Sequence, residues 1–409
     1  QVTRTAEEER DVVFAPDGKS LWFVSDNGGQ ADLWKAVPAN SSKYWWENTS
    51  FNLTKVTDDP DVESAPKFSP DGKTLGYVKG RGDIWLADAS GKNPWRVVES
   101  WATPRFDFSP DGDWIVYSRA DEWYNSDIWL VPSDGSSEPF NLSRHPNNDT
   151  SPRWSPDGKA IAWIGHRDTN EVDIFYVWLQ TEDEERTMRE RTLEKAREKL
   201  AKAAPKPAKP ATEEKNPAPE FLGPPAPASA RVRTKRRIDF EDIHERIRRI
   251  SLPNSSESNL VWSPDSKKLG FTGVVNGKRG FCTIEILDHS KVNLLAALIG
   301  SNPQWLKHED RIVCLSDGQP TSIAPKGTVN VVSTWRFRAQ QTVVRSEKQR
   351  AVFDQCWRIM RDWYYDEELN NRDWDAVRVK YADMAAAAPN MNAVAEVVQL
   401  MLGELNGSH

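Results

Sequence analysis

The chain has 409 residues, of which 38% are hydrophobic and 28% are charged, and its formal net charge is -7. A length of this order predicts two or three domains. The acidic balance argues against nucleic acid as the main partner, because phosphate binding needs clustered positive charge. No run of 18 apolar residues occurs, so we expect no membrane-spanning helix in this sequence.

The cysteines and histidines do not form a recognisable site pattern. Cys282, Cys314 and Cys356 are far apart and make neither a disulfide framework nor a Cys-x-x-Cys metal knuckle. The six histidines show no His-x-His or His-x-x-x-His spacing. We therefore expect no metal site and no cofactor.

Both ends of the chain suggest a piece of a longer protein. The sequence starts with Gln1 and stops at His409, directly after a strongly patterned helix. A signal peptide, if there is one, would then lie upstream, and the sequence does not determine localisation.

A short phrase recurs along the first three quarters of the chain. It consists of an aromatic residue, Ser or Ala, then Pro-Asp, then Gly or Ser, and a run of alternating apolar residues follows. The aromatic residues of the copies, the last of them degraded, are Phe14, Phe68, Phe108, Trp154, Trp262 and Trp305. The steps between them are 54, 40, 46, 108 and 43 residues. Repeats of 40 to 50 residues with short strands are typical of β-propeller blades.

The chemistry of the phrase supports this interpretation. Ser-Pro-Asp-Gly fits a type I turn between two antiparallel strands, and the Asp would cap the turn. We interpret it as turn-forming, because one Asp per turn does not supply a calcium site. A third strand begins with Asp followed by an apolar pair, and most of the 19 tryptophans are expected between blades. Those third-strand signatures start at Asp32, Asp83, Asp127 and Asp173.

The step of 108 residues contains an insertion at residues 182–237. Its start, residues 182–203, is predicted to be a charged helix, and residues 204–230 are rich in Pro, Ala and Lys and are expected to be disordered. A basic run at 231–237 is interpreted as a solvated linker. Strand structure is expected to resume at 237–250.

From Ser346 onward the apolar period changes from 2 to 3.6, which predicts a helical unit at 346–409 after a propeller at 1–345. Ser346 and Gln349 suggest a capping box for the first helix. Asp373 and Asn392 are the predicted N-caps of the second and third helices. Gly407 is expected to end the third helix.

The motifs of this last part resemble the tricorn protease family, a group of tail-specific serine peptidases. The segments that carry the resemblance are Phe353-Asp354-Gln355-Cys356-Trp357-Arg358, Trp363-Tyr364-Tyr365-Asp366, Asp373-Trp374 and Met401-Leu402-Gly403-Glu404-Leu405-Asn406-Gly407-Ser408-His409. The propeller repeats are less specific, since TolB-like proteins share them.

The resemblance implies a domain order of a six-bladed propeller, a seven-bladed propeller, a helical core subdomain, a PDZ domain and a second core subdomain. This chain would hold the second propeller and the helical subdomain. Six repeats are visible, so the expected fold is an all-β propeller with six visible blades, and seven expected in the whole domain, followed by a small α-helical subdomain.

By the same resemblance, His409 would be the general base for a serine nucleophile, and Ser408 its neighbour in the catalytic tetrad. The nucleophile and a Glu would lie in the second core subdomain, so the chain alone is expected to be inactive. The full-length protein would hydrolyse oligopeptides, with the propeller gating their access. The family also implies a homohexamer and a cytoplasmic location, while a periplasmic one stays open.

Two alternatives remain open. One is a non-catalytic binding module of TolB type, in which the helices would dock a partner. The other is a hydrolase similar to prolyl oligopeptidase, although the chain has no Gly-x-Ser-x-Gly elbow. The sequence that follows His409 would distinguish them.

Overall fold

The computed structural model describes residues 2–167, 171–186, 190, 193, 196–197, 237–326, 329–338, 340 and 342–407. Most of the predicted helix at 182–203, the Pro/Ala-rich stretch and the basic run up to residue 236 lie outside the described residues. So do the predicted site residues Ser408 and His409.

Twenty-four strands form six antiparallel sheets, each built from four strands that are consecutive in sequence. The first three sheets contain β1 (Glu9–Phe14), β2 (Leu21–Ser25), β3 (Asp32–Pro38), β4 (Phe51–Lys55); β5 (Glu63–Phe68), β6 (Thr74–Lys79), β7 (Asp83–Asp88), β8 (Trp95–Val98); and β9 (Phe106–Phe108), β10 (Trp114–Ala120), β11 (Ser126–Pro132), β12 (Phe140–Asn141). The other three contain β13 (Asp149–Trp154), β14 (Ala160–Gly165), β15 (Asp173–Trp178), β16 (Arg248–Ile250); β17 (Ser258–Trp262), β18 (Lys268–Val275), β19 (Lys278–Glu285), β20 (Asp288–Ala296); and β21 (Ser301–Trp305), β22 (Ile312–Ser316), β23 (Gln319–Lys326), β24 (Val329–Thr334).

The six sheets are the blades of a propeller. The first strands of successive blades contact one another, β1 with β5, β9 with β13, β13 with β17 and β17 with β21, so they form the inner ring. In each blade one copy of the repeated phrase ends the first strand and leads into the second, which confirms the predicted propeller. The described residues form six blades, and the expected seventh is not among them. Among the described residues, no sheet contains strands from both the beginning and the end of the propeller.

The repeated turn has the predicted chemistry in blades 2 to 5. In blade 2 the Ser69 hydroxyl donates to Asp71 at 2.7 Å and accepts from the Thr74 amide at 3.0 Å. The amide of Gly72 donates to the Ser69 carbonyl at 2.9 Å, the bond that closes a four-residue turn. The copies that start at Ser109, Ser155 and Ser263 repeat these bonds. The turn aspartates therefore close their own turns, as predicted.

The third-strand aspartates connect that strand to the outer edge of the blade. Asp127 accepts hydrogen bonds from the Ser143 hydroxyl at 2.8 Å and from the His145 amide at 2.9 Å. Asp173 accepts from the Arg249 side chain at 2.9 Å, across to β16. The Asp signature is thus a device that attaches the fourth strand, where backbone pairing is short.

The insertion interrupts blade 4 between its third and fourth strands, which agrees with one blade spread over the long step. A short helix, α1 (Thr181–Glu185), follows β15. Strand structure resumes within the predicted range 237–250, but only Arg248–Ile250 is a strand. The Arg246 guanidinium is buried and donates to the Glu241 carbonyl at 3.0 Å, so this segment folds into a compact helical turn, Ile243–Arg246, before the strand begins.

Three helices follow the propeller: α2 (Arg345–Trp363), α3 (Trp374–Ala386) and α4 (Met391–Gly403). Their apolar faces form one core, in which the indoles of Trp357 and Trp374 donate to each other's carbonyls at 2.8 and 3.0 Å. Met401 of α4 is fully buried in this core. The helical unit predicted from the period of 3.6 is therefore present.

The predicted helix ends are right in one case and wrong in three. Asp373 caps α3 and accepts from the Ala376 amide at 2.9 Å. The predicted capping box is absent, since α2 starts after Val344 and the Gln349 side chain is buried instead of reaching back. Asn390, not Asn392, caps α4, because its extended backbone lets its side chain accept from the Ala393 amide at 3.0 Å.

The third error concerns the C-terminus of α4. The helix ends at Gly403, with Glu404 as its C-cap, and Gly407 lies four residues further along the chain. Gly407 therefore does not end the helix, and that prediction is wrong.

Tryptophans occupy both buried and exposed positions. Trp154 is 5% exposed and packs between blades 3 and 4, as predicted. Trp129 is half-buried, under the Arg119 guanidinium at 5.5 Å from the ring centre. The exposed ones, which the core interpretation missed, are Trp46, Trp95, Trp101, Trp123, Trp335 and Trp363.

Candidate active site

The helical unit lies against blades 1 and 2 through polar contacts. From α2, the Gln355 amide donates to the Glu8 carboxylate at 2.6 Å, and Arg361 donates to the Gln30 side-chain oxygen at 2.7 Å. From blade 2, the Arg81 guanidinium donates to the Tyr364 carbonyl at 3.1 Å. These bonds attach the helices to the hairpins of the first two blades.

A buried ion pair lies at the centre of this junction. The side chains of Arg358 and Asp26 are each 9% exposed and bind each other directly. Asp26 also accepts from the Glu8 amide at 2.8 Å, which satisfies its second oxygen. A buried charge needs this kind of complete pairing, since losing one partner leaves the other unsolvated.

A partly open cavity of about 620 Å³ lies between the propeller and α2. Its walls come from blades 1 to 3 and from one face of the helix, and they carry both signs of charge. The main charged and aromatic lining residues are Arg10, Asp26, Arg105, Arg358, Asp362 and Trp363. This volume is in the range of ligand-binding clefts, and its mixed charges suit a zwitterionic or polar chain better than a purely apolar ligand.

The inner ring of the propeller also carries charges. Lys67 pairs with Asp107 of the next blade, and Asp107 accepts from the Trp154 amide at 3.0 Å in the blade after that. Burial lowers the pKa of Lys67, while the pairing with Asp107 acts in the opposite direction. These side chains link three successive blades around the ring.

The loop that follows α4 is held by side chains of α3 and of the segment between α2 and α3. The Glu404 carboxylate pairs with Lys380 and accepts from the Tyr381 hydroxyl at 2.7 Å. These two partners lower the pKa of Glu404. Further along, the Asn370 side-chain amide donates to the Leu405 carbonyl at 2.8 Å and to the Tyr364 hydroxyl at 3.1 Å.

The described chain ends at Gly407, one residue before the predicted pair Ser408 and His409, which lie outside it. The structure therefore defines the backbone that leads into the pair and the side chains that hold that backbone. Sequence reasoning missed Tyr364, Asn370 and the Lys380–Glu404 contact. The Asn370-Asn371 dipeptide was the available signal, because Asn tolerates turn conformations.

Two of the other histidines serve the propeller. A ring nitrogen of His244 lies 2.9 Å from the Leu142 carbonyl, and the ring stacks on Phe140. A ring nitrogen of His289 lies 2.9 Å from the Ile286 carbonyl. Their contacts are with backbone and aromatic groups of the propeller.

Within the described residues, no helix combines the length and apolar character that a membrane crossing requires. The same residues contain no group of three or more His, Cys, Asp or Glu side chains arranged to hold a metal ion.

The helical unit matches a family model described as the Tricorn protease C1 domain over residues 345–403. The matched range begins at the first residue of α2 and ends at the last residue of α4. The match therefore coincides with the helical unit and ends one residue before Glu404.

The whole chain is similar to curated relatives and to a solved structure. It is 20% identical to a tricorn protease homolog from Saccharolobus solfataricus, over 84% of this chain and 31% of that protein. It is 20% identical to a putative tricorn-like protease C-terminal subunit from Sulfurisphaera tokodaii, over 91% of this chain and 42% of that protein. The crystal structure of the tricorn protease matches 98% of this chain and 38% of its own chain, with 14% identity and a TM-score of 0.64.

These relatives extend well beyond the region that is compared. The chain spans about a third to two fifths of the length of the curated relatives it matches. The structural match shows that propeller and helices are arranged in the same fold.

Proposed function

We propose that the chain belongs to the tricorn protease family and is part of a serine peptidase that hydrolyses oligopeptides. In this proposal the propeller delivers the peptide, and the loop after α4 supplies the catalytic base. The observation that carries the proposal is the position of the C1 match, which ends directly before the loop leading to Ser408 and His409.

The chemistry assigns one role to each residue of the pair. A serine hydroxyl is a weak nucleophile until a base accepts its proton, and imidazole has a suitable pKa near neutrality. His409 is assigned as that base and Ser408 as a polar neighbour that orients it or the substrate. In this proposal the nucleophilic serine and a glutamate come from residues outside the given sequence.

The cavity between the propeller and α2 supports a role in handling peptides. It opens at the junction to which the helical unit is attached, and its walls offer both guanidinium and carboxylate groups. A peptide has a carbonyl and an amide at every residue and a charge at each end, so it can use both. The proposal also includes a homohexamer, which sedimentation of the full-length protein tests. The proposed location is the cytoplasm.

The experiment compares the full-length protein with three single variants in steady-state cleavage of a fluorogenic oligopeptide. We expect His409→Ala to lower kcat by about 10⁴, the scale found when a serine nucleophile loses its base. Ser408→Ala is expected to cost less, since that residue does not accept the proton. His308→Ala, at an exposed turn of blade 6, is the matched control and is expected to leave kcat unchanged.

Equal rates for the parent and His409→Ala would refute the catalytic assignment. The 409-residue chain by itself is expected to show no cleavage, because it lacks the nucleophile. Cleavage by this chain would show that the nucleophile lies within it and would require a different mechanism.

A further inference from the structure

Three consecutive residues between α2 and α3 have left-handed backbone conformations. The φ angles are +51° for Leu369, +54° for Asn370 and +57° for Asn371. This region is disfavoured for residues with a Cβ. The side chain of Leu, unlike that of Asn, cannot form a local hydrogen bond that would offset the cost. Backbone strain of this kind persists only where surrounding contacts impose it, and it is concentrated at functional sites.

The surrounding contacts that impose this turn come from both sides. The Asp366 carbonyl accepts from the Leu369 amide at 3.0 Å, and the Asp366 carboxylate accepts from the Asn370 amide at 2.8 Å. The Leu369 side chain is buried in the core of the helical unit. The turn is thus held by hydrogen bonds to Asp366 and by the burial of the Leu369 side chain.

The fastened turn presents the Asn370 amide to the loop after α4. Its Nδ2 donates to the Leu405 carbonyl at 2.8 Å and to the Tyr364 hydroxyl at 3.1 Å. Leu405 itself is buried in the helical core. The loop backbone therefore has one fixed point three residues before Ser408.

Tyr364 provides a second fixed point, which acts by contact. A Cβ added to Gly407 would lie 2.6 Å from the Tyr364 hydroxyl oxygen, and the next nearest atom is the Asn370 amide nitrogen at 3.4 Å. Gly407 does not have a positive φ, so its backbone conformation does not require glycine. A methyl group at position 407 would contact the Tyr364 hydroxyl, so the Tyr364 side chain or the loop would have to move to accommodate it.

Tyr364 is in turn held by the propeller. Its amide donates to the Met360 carbonyl of α2 at 3.0 Å, and its carbonyl accepts from Arg81 of blade 2 at 3.1 Å. A continuous set of contacts thus connects blade 2, Tyr364, Asn370 and the Leu405–Gly407 backbone.

We infer that Tyr364 and Asn370 are positioning residues, which fix the backbone of residues 405–407 and thereby place the imidazole of the following His409. This inference rests on the proposed function, because it takes His409 as the general base. It gives one functional reason for three features: the strained turn, the glycine at position 407 and the contact with blade 2.

The first test compares two equivalent substitutions in the full-length enzyme. Asn370→Gly keeps a residue that accepts a left-handed backbone but removes the amide that holds Leu405. Asn371→Gly makes the same change one residue later, at an exposed side chain, and is the matched control. We expect Asn370→Gly to lower kcat 10- to 100-fold with KM changed less than about threefold, the scale of a misplaced catalytic group. Asn371→Gly is expected to leave both constants unchanged.

The pH profile separates positioning from a general structural effect. The acidic limb of kcat/KM reports the base of the free enzyme, so it is expected to shift in Asn370→Gly and not in Asn371→Gly. A variant that is merely less stable would show a lower Tm and fewer active sites on titration with an acylating inhibitor. The inference would be overturned if Asn370→Gly showed a lower Tm and fewer active sites while kcat per active site and the acidic limb stayed at the parental values.

The second test uses the contact between Gly407 and Tyr364. We expect Gly407→Ala to lower kcat at least tenfold, because the added methyl group displaces the loop. In a Tyr364→Phe background the oxygen at 2.6 Å is absent and the next ring atom is at 3.9 Å, so Gly407→Ala is expected to cost less than threefold there. An equal loss in both backgrounds would contradict the contact as the cause.

The failure of this inference differs from the failure of the proposed function. Full activity in His409→Ala would refute the base itself, whatever Asn370→Gly does. Loss of activity in His409→Ala together with parental kinetics in Asn370→Gly would leave the base in place and refute the positioning role alone.

Discussion

The boundaries between blades and the junction between propeller and helices are built in different ways. Trp154 lies in a continuous apolar core that blade 3 and blade 4 share. The junction is held by side-chain hydrogen bonds and the buried Arg358–Asp26 pair, with an open cavity beside them. Apolar packing seals a boundary, whereas polar contacts leave room for a solvent-filled cleft. The blades are thus suited to be a rigid support and the junction to be a place where a ligand can enter.

The largest expected effect is at a blade boundary. Trp154→Ala removes a large buried ring and is expected to lower the free energy of unfolding by about 3–5 kcal/mol. Trp123→Ala is the matched control, because that ring is 76% exposed, and it is expected to cost less than about 0.5 kcal/mol. Urea melts of the two variants measure the difference. Equal small losses would show that Trp154 does not support the boundary.

The next effect is at the junction. Arg358→Ala leaves Asp26 buried without its partner, and we expect a loss of about 3 kcal/mol in the free energy that holds the helical unit to the propeller. Arg350→Ala breaks an ion pair between side chains that are 48% and 89% exposed, so it is expected to cost at most about 0.5 kcal/mol. Hydrogen exchange of α2 measures both. Parental protection in Arg358→Ala would mean that the pair contributes little to the junction.

The smallest effect sharpens the comparison at a polar part of a blade boundary. Glu63 of blade 2 is fully buried next to Asp32 of blade 1, and its carboxylate accepts from the Thr57 hydroxyl at 2.8 Å. Burial raises the pKa of Glu63 to about 8, with Asp59 and Asp32 adding to the rise. The folded protein therefore keeps a proton that the unfolded chain releases at a lower pH.

The sign of the pH dependence follows from this proton. Stability due to Glu63 is complete below the unfolded pKa and is lost as the pH rises towards about 8. Between pH 6 and 8 we expect a loss of about 2 kcal/mol, which Glu63→Gln abolishes. Glu99→Gln, at a side chain that is 77% exposed, is expected to keep the parental pH dependence. Thermal melts across this pH range test it, and an unchanged slope in Glu63→Gln would contradict the assignment.

The sequence by itself determined the features that depend on neighbouring residues. The six copies of the phrase identified the blades, since the Ser69 hydroxyl donates to the Asp71 carboxylate and the Gly72 amide donates to the Ser69 carbonyl within one turn. The period of 3.6 identified the helical unit, and Asp373 identified the start of α3. The errors occurred at the ends of elements, as with Asn390 and Gly403, where a helix can begin or end at any of several neighbouring residues.

Only the tertiary structure decided the candidate site. Asn370 and Leu405 are separated by 35 residues, and Arg358 and Asp26 by 332, so no local pattern brings either pair together. Gly407 was predicted to end a helix, but its absent side chain makes room for the Tyr364 hydroxyl. Contacts of this kind arise because the helices pack on one another and on the propeller. Their geometry therefore depends on the assembled fold, whereas each turn and strand depends on a few adjacent residues.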